Sequence, residues 1–260
     1  MKIVSINSVP YGSTGHIMKD ITHYANLTGN MAQCYCRKWK DNKAEAIAIP
    51  FGSYLENAVH VVLSQITGLN GCFSLLGTYK LLKEITKINP DIIHLHNLHF
   101  WYINLPMLFH YIKKHNIRTV WTLHDCWSFT GQCPHFTMVK CNKWKTGCYD
   151  CEQYRLYPQA YVDQTKLMYR LKKKWFTGIE NMTIVTPSQW LADLVKQSFL
   201  SDYPVKVINN GIDLNVFKPT ESDFRETHGI TPKSGGGEYL LLGVVIGWSK
   251  LKGLDVFIKL

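Results

Sequence analysis

Four cysteines, Cys133, Cys141, Cys148 and Cys151, fall in a C-x7-C-x6-C-x2-C pattern. The closing C-x2-C lets one loop present two thiolates to one ion, and four thiolates complete a tetrahedral structural zinc site. Lys140, Lys143 and Lys145 lie between them and would offset the charge of a zinc held by four thiolates. A labile disulfide and inert thiols are the two other readings of the quartet. Just upstream, His124 and Asp125 stand side by side, a pairing able to hold a polar ligand or move a proton. Cys126 follows them outside the quartet and reads as a packing residue.

The rest of the chain must position these residues. Its 260 residues are 46% hydrophobic and 18% charged, which describes a folded protein with a sizeable core. No apolar run approaches the roughly 18–20 residues of a membrane span, and "MKIVSINSVPYG" is too short and mixed for a secretory leader. The expected location is the cytoplasm, either free or peripheral on the inner face of the cell membrane. Stable disulfides are rare there. The net charge of +10 favours polyanionic partners. Nucleic acid is not expected, because no recognised nucleic-acid fold motif accompanies the charge. "KLMYRLKKKWF" sets Lys166, Arg170, Lys172, Lys173 and Lys174 beside Leu167, Met168, Leu171, Trp175 and Phe176. It reads as a solvated helix face over a buried stripe, or as a helix (165–176) lying on an anionic membrane surface.

Short apolar runs alternate with amphipathic ones. "KIVSI", "MAQCYC", "DIIHLH", "RTVWTL", "MTIVT" and "VKVI" read as strands. "HIMKDITHYANL", "LPMLFHYIKKH" and "SQWLADLVKQSF" read as helices, the last with Ser188 as N-cap and Leu191, Leu194 and Val195 inward. "SLLGTYKLLKEI" reads as a helix with Leu75, Leu76, Tyr79, Leu82 and Ile85 on one face. This alternation predicts an α/β fold, a Rossmann-like parallel sheet covered by helices on both faces. Ligands bind at the carboxyl ends of the strands of such sheets. The loops "YGSTGH", "HNLHF", "HDCW" and "PSQW" all follow strands, so they converge on one edge. Residues 1–208 form the expected first domain, with a Cys-rich insertion at 126–151. A Gly- and Pro-rich linker spans 209–237. Residues 238–260 read as the first strand ("YLLLGVVIG") and half-helix of an incomplete second Rossmann-like domain.

Several stretches resemble glycosyltransferase family 4, the retaining enzymes of the two-domain GT-B fold. "NNGIDLNVFKP" resembles its interdomain junction, and "VTPSQWLADLVKQS" the strand and helix before it. "VVIGWSKLKGLDVFIKL" resembles the opening of its donor domain, and "TLHDCWSFTGQC" its bacterial surface-polysaccharide sub-group. The resemblance implies transfer of a sugar from a UDP- or GDP-linked donor to a glycan or lipid-linked acceptor, with no redox cofactor. It implies donor contacts from Gly12, Gly15, Lys252 and Gly253, and catalytic roles for His124 and Asp125, the aspartate orienting the histidine or the loop. It implies acceptor contacts from His16, His96, Asn97 and His99. Cysteine-bearing inserts occur in that sub-group and favour zinc in the quartet. The arginine usual before the family's lysine is replaced here by "GWSK", leaving Lys250 as a point charge. The Glu-x7-Glu segment of the donor domain lies beyond these residues, so this stretch alone is expected not to catalyse transfer. A sugar-nucleotide epimerase shares the two-domain architecture but fits the junction and the Lys-Gly loop less well. The alternative from another class is a non-catalytic, zinc-stapled basic module binding a polyanionic or lipid-linked acceptor.

Overall fold

Strands rich in Val, Ile and Trp with little polar alternation have to be buried on both faces, and they are. A computed structural model describes residues 1–38, 47–230, 239–245, 247–249 and 252–259. It divides into two units, Met1–Asn210 and Gly211–Leu260. The first is a seven-stranded, wholly parallel sheet of order β3-β2-β1-β4-β5-β6-β7. Its strands are β1 (Lys2–Asn7), β2 (Met31–Arg37), β3 (Ala48–Phe51), β4 (Ile92–Leu95), β5 (Arg118–Thr122), β6 (Met182–Thr186) and β7 (Val205–Val207). The order is doubly wound, and it reverses between β1 and β4.

The long helices are α1 (Gly12–Leu27), α2 (Tyr54–Thr67), α3 (Leu75–Ile88), α4 (Leu105–His115) and α5 (Thr165–Phe176), followed by the shorter α6 (Gln189–Val195). Helix α4 starts where the Asn104 side chain accepts from Met107 N–H, and α6 where Ser188 accepts from Leu191 N–H. Leu191 and Val195 point inward as expected, with Leu194 half-buried. Between α4, β5 and α5 the rings of Phe109, Trp121 and Phe176 stack within 4.5–5.5 Å of one another. Such contacts each add about 0.5–1.5 kcal/mol beyond area burial.

Five segments depart from the sequence expectations. Strand β3 and helix α2 were not expected at all. In α3 the buried face is Gly77, Thr78, Leu81, Leu82 and Ile85, while Leu75, Leu76 and Tyr79 are exposed. Apolar residues on both sides of that helix hid its phase. In α5, Lys172 is fully buried, Leu167 is exposed, and Met168 and Phe176 enter the core. Leu171 and Trp175 are half-buried, so the core takes up only part of the apolar stripe. Finally, residues 239–245 form no strand, and no described residue of the second unit is buried. A parallel strand needs a hydrogen-bonded neighbour, and none among the described residues pairs with this segment. The second unit holds the short helices α7 (Phe224–Thr227) and α8 (Leu254–Phe257), and Trp248 packs on Phe257 of α8 at 4.9 Å. Residues 231–238 of the expected linker, and Lys250, lie outside the described residues.

The two glycines of "YGSTGH" carry different constraints. Gly12 has φ +67° with open space around it, whereas a Cβ on Gly15 would lie 2.5 Å from the Pro10 carbonyl carbon. Gly12→Ala is expected to cost about 1 kcal/mol of backbone strain. Gly15→Ala is expected to cost roughly 1–3 kcal/mol by overpacking. Urea unfolding of the two variants checks that order.

Candidate active site

The site is built where the strand order reverses. Beyond that point the loops after β1 and β4 diverge, leaving strand-end polar groups without ladder partners. Asn7, buried at the end of β1, meets them: its Oδ1 accepts from Asn97 N–H at 3.1 Å, and its Nδ2 donates to Val9 O and Thr14 Oγ1. The loop after β4 is tied a second time from β5, where Trp121 Nε1 donates to His96 O at 3.0 Å.

On this frame sit histidines from two strand ends. His96 Nδ1 and His124 Nε2 are 3.1 Å apart, and the His94 ring lies 4.2 Å from that of His96. Burial lowers the His94 and His124 pKa values to about 4, and that of His96 well below the usual range. Neighbouring rings add to the shift at all three, and Asp125 opposes it at His124. Both rings of the 3.1 Å pair are therefore neutral, one donating and one accepting. His124 is only half-buried and is the member a ligand can reach.

Asp125 does not orient His124. Its Oδ2 meets His99 Nε2 at 2.9 Å and its Oδ1 accepts from Trp127 N–H at 2.8 Å. Burial opposes ionisation of Asp125, but His99 and that N–H outweigh it and hold the carboxyl below its usual range. His99 Nδ1 bonds Tyr157 OH at 2.6 Å. His96, Asn97, His99, His124 and Asp125 thus share one recess of about 10 Å³, a polar surface rather than an enclosing pocket. Gly12 opens α1, whose first turn has no side-chain cap and no acidic residue, leaving its N–H groups for an anion. His16 is exposed on α1 and makes none of the contacts joining the others. Lys252 and Gly253 belong to the second unit, with Lys252 exposed and Gly253 at φ +75°. Sequence reasoning missed Asn7, Tyr157 and Arg37, whose Nη1 donates to Phe100 O at 2.8 Å. A polar residue ending a buried strand was the available signal for Asn7.

The cysteine-rich insertion packs around its own aromatic centre, with Phe136 and Trp144 stacked at 4.7 Å and Phe129 beside them. The four cysteines line one cavity of about 20 Å³. Cys148 Sγ accepts from Gly131 N–H at 3.1 Å. Cys133 and Cys151 share a hydrogen bond that pushes the Cys133 thiol up and draws Cys151 down to about 7. All eight cysteines are free thiols. Among the described residues, no group of three or more His, Cys, Asp or Glu side chains is arranged to hold a metal ion. The zinc reading, and the zinc-stapled module with it, draws no support from this geometry. Cys126 is buried in the main core, as its packing role requires.

Beneath the insertion, Lys172 donates to Trp127 O and sits 3.6 Å from the centre of the Trp127 ring. Burial lowers its pKa to about 7, against the pull of Cys148, Asp125 and Cys133.

A doubly wound sheet with a polar ligand surface at its reversal point defines a Rossmann-like unit of the GT-B type. The family model described as Glycosyltransferase Family 4 matches residues 29–216, and the chain belongs to that family. It is 34% identical over 143 residues to the putative colanic acid biosynthesis glycosyl transferase WcaC of Escherichia coli, a match over 52% of this chain and 35% of that protein. The chain thus spans about a third of that relative's length. Among solved structures, sucrose-phosphate synthase from Thermosynechococcus elongatus superposes with a TM-score of 0.54 at 12% identity, over 88% of this chain and 53% of that one. That likeness is one of fold.

Two stability predictions follow from these burials. His60 (pKa about 3), His94, His96 and His124 are held neutral, so below about pH 6.5 the unfolded chain binds protons that the folded rings refuse. Their contribution is complete above pH 6.5 and is lost as the pH falls toward 4, at up to about 1.4 kcal/mol per pH unit for each ring. Urea midpoints at pH 7, 6 and 5 are expected to fall steeply, and less steeply in His124→Gln. Lys172 acts in the other window: the unfolded chain binds its proton more tightly between pH 7 and about 10.4, so the lysine penalises the fold less as pH rises. Lys172→Met is expected to gain a few kcal/mol relative to wild type at pH 7, and to lose most of that gain by pH 9.5. Paired urea titrations at the two pH values read it.

Proposed function

We propose that this chain is the acceptor-side part of a retaining glycosyltransferase that moves a sugar from a UDP- or GDP-linked donor to a glycan or lipid-linked acceptor in surface-polysaccharide assembly. The observation that carries the reading is the neutral His96–His124 pair at the sheet's reversal point, with its reachable ring at the mouth of the recess. A neutral imidazole can accept from or donate to a sugar hydroxyl without fixing a counter-charge there. Family membership and the name of the Escherichia coli relative support the substrate class.

In this reading His124 contacts the transferred sugar and His96 sets its ring orientation and tautomer. Asp125 acts through His99, which with Asn97 and His96 faces the acceptor. Both Asp125 oxygens are engaged, so it is no nucleophile. The open first turn of α1, with Gly12 at its start and Gly15 beneath, faces the donor phosphates. Lys252 and Gly253 supply the diphosphate contact from the donor side, where a positioned cation stabilises the leaving group. His16 borders the acceptor side. The 1–208 domain, 209–237 linker and 238–260 donor-domain start stand as the proposed organisation.

The test uses the protein encoded by the whole reading frame, assayed for nucleoside diphosphate release from UDP- and GDP-sugars with a lipid-linked glycan acceptor. His124→Ala is expected to lower turnover about 100-fold or more in protein that circular dichroism shows to be folded at the assay temperature. Unaltered turnover in that variant would refute the assignment.

A further inference from the structure

Helix α2 is inside out. Its buried residues are the polar Asn57, His60 and Ser64. Each has an internal partner: Asn57 Nδ2 donates to Lys38 O, His60 Nδ1 meets Ser74 Oγ at 2.7 Å, and Ser64 Oγ donates to Leu69 O. The outward stripe is Leu55, Val59, Val62 and Ile66, spaced i, i+4, i+7, i+11 and exposed by 73, 48, 52 and 55%. The helix has one charged side chain, Glu56, and both its oxygens accept from Gly77 N–H at 3.0 Å. Glu56 and the close approach of Gly52 to Gly77 join the start of α2 to the start of α3. There Leu75, Leu76 and Tyr79 are also exposed and extend the same surface. At the other end Tyr161 N–H donates to Gln65 O at 2.7 Å, bringing exposed Tyr161 and Val162 to the end of α2.

An apolar face of this size on a surface helix marks a contact. The chemistry around it indicates with what. The uncharged stripe is bordered by tyrosines at both ends. Beside Tyr79 lie the exposed cations Lys80 and Lys83 of α3, with Lys83 over the Tyr79 ring, while Lys166 and Arg170 of α5 line a cleft with residues 146–149 of the insertion. Lysine is depleted from protein–protein interfaces. Apolar stripe, amphipathic aromatic edge and basic border in that order match a helix lying in the plane of a bilayer that carries anionic lipid. At 14 residues α2 is about 21 Å long, short of the roughly 30 Å hydrocarbon core, so it lies along the interface and does not cross it. No helix among the described residues is long and apolar enough to cross a membrane.

We infer that α2, with the start of α3, is a membrane-docking face that seats this protein on an anionic bilayer. Because α2 and α3 both begin at the carboxyl edge of the sheet, docking holds that edge near the lipid surface, within reach of a head-group-linked acceptor. The inference stands apart from the transfer chemistry, because its readout is binding.

The experiment is flotation of the full chain with vesicles of phosphatidylcholine containing 30% phosphatidylglycerol, and with phosphatidylcholine alone. Expected are binding to the anionic vesicles, at least 10-fold weaker binding to the neutral ones, and at least 10-fold loss in Val62→Gln/Ile66→Gln. These side chains are exposed, so that variant should melt with wild type; Leu55→Gln/Val59→Gln serves if it does not. Lys80→Ser/Lys83→Ser should weaken binding several-fold and flatten its salt dependence. Failure of wild type to float, or equal flotation of the glutamine variants, overturns the inference. So does a wild-type dimer in light scattering that those variants dissolve, since the stripe would then belong to a second copy.

Discussion

A single buried asparagine resolves the geometric problem on which this fold's site depends. Where a doubly wound sheet changes direction, two adjacent strands send their chains to opposite faces, and the backbone groups at the split lose their neighbours. Asn7 supplies an acceptor to one diverging loop and a donor to the other. Leaving one such buried group unmet costs about 1–3 kcal/mol. The same contacts fix the height of the β4 loop, and with it His96 and Asn97. Trp121 then couples that loop to the aromatic core through its indole N–H. The positions of the polar site residues are thereby set by the packing of Phe109, Trp121 and Phe176, far more rigid than any loop.

The cysteine-rich insertion is joined to this arrangement at two levels. Tyr157 reaches His99, and Trp127, at the insertion's start, holds Asp125 through its N–H and Lys172 through its carbonyl and ring. A lysine at the centre of a fold, satisfied by one carbonyl and one π-face, is an expensive arrangement. Cys148, Asp125 and Cys133 act on its charge, from the insertion and from the histidine site alike. The insertion and the histidine site therefore share an electrostatic centre.

The sheet was legible because β1, β4, β5 and β6 are largely buried on both faces and read as short, mainly apolar runs. The carboxyl-edge location of the site followed from that topology. Helix phase was less legible wherever the outward side is apolar. In α3, Leu75, Leu76 and Tyr79 gave a plausible stripe that faces away from the core, and in α2 the inward residues are polar, so no amphipathic signal points to the interior. Lys172 misled for the complementary reason, since a lysine within a basic run reads as solvated. Pairing among the site residues was not readable either. Asp125 adjoins His124 in the chain but bonds His99, 26 residues away, because adjacent residues leaving a strand point to different sides.

Three clustered imidazoles that stay uncharged at neutral pH give the recess the character of fixed dipoles. An anionic ligand gains no Coulomb attraction from them, and a neutral polyol meets no competing counter-ion. Their hydrogen-bonding pattern also stays constant over the span in which an ordinary surface histidine changes state. A drift of half a pH unit around neutrality would thus leave these three rings unaltered. Acidification would reach it only by loosening the fold that holds the rings neutral.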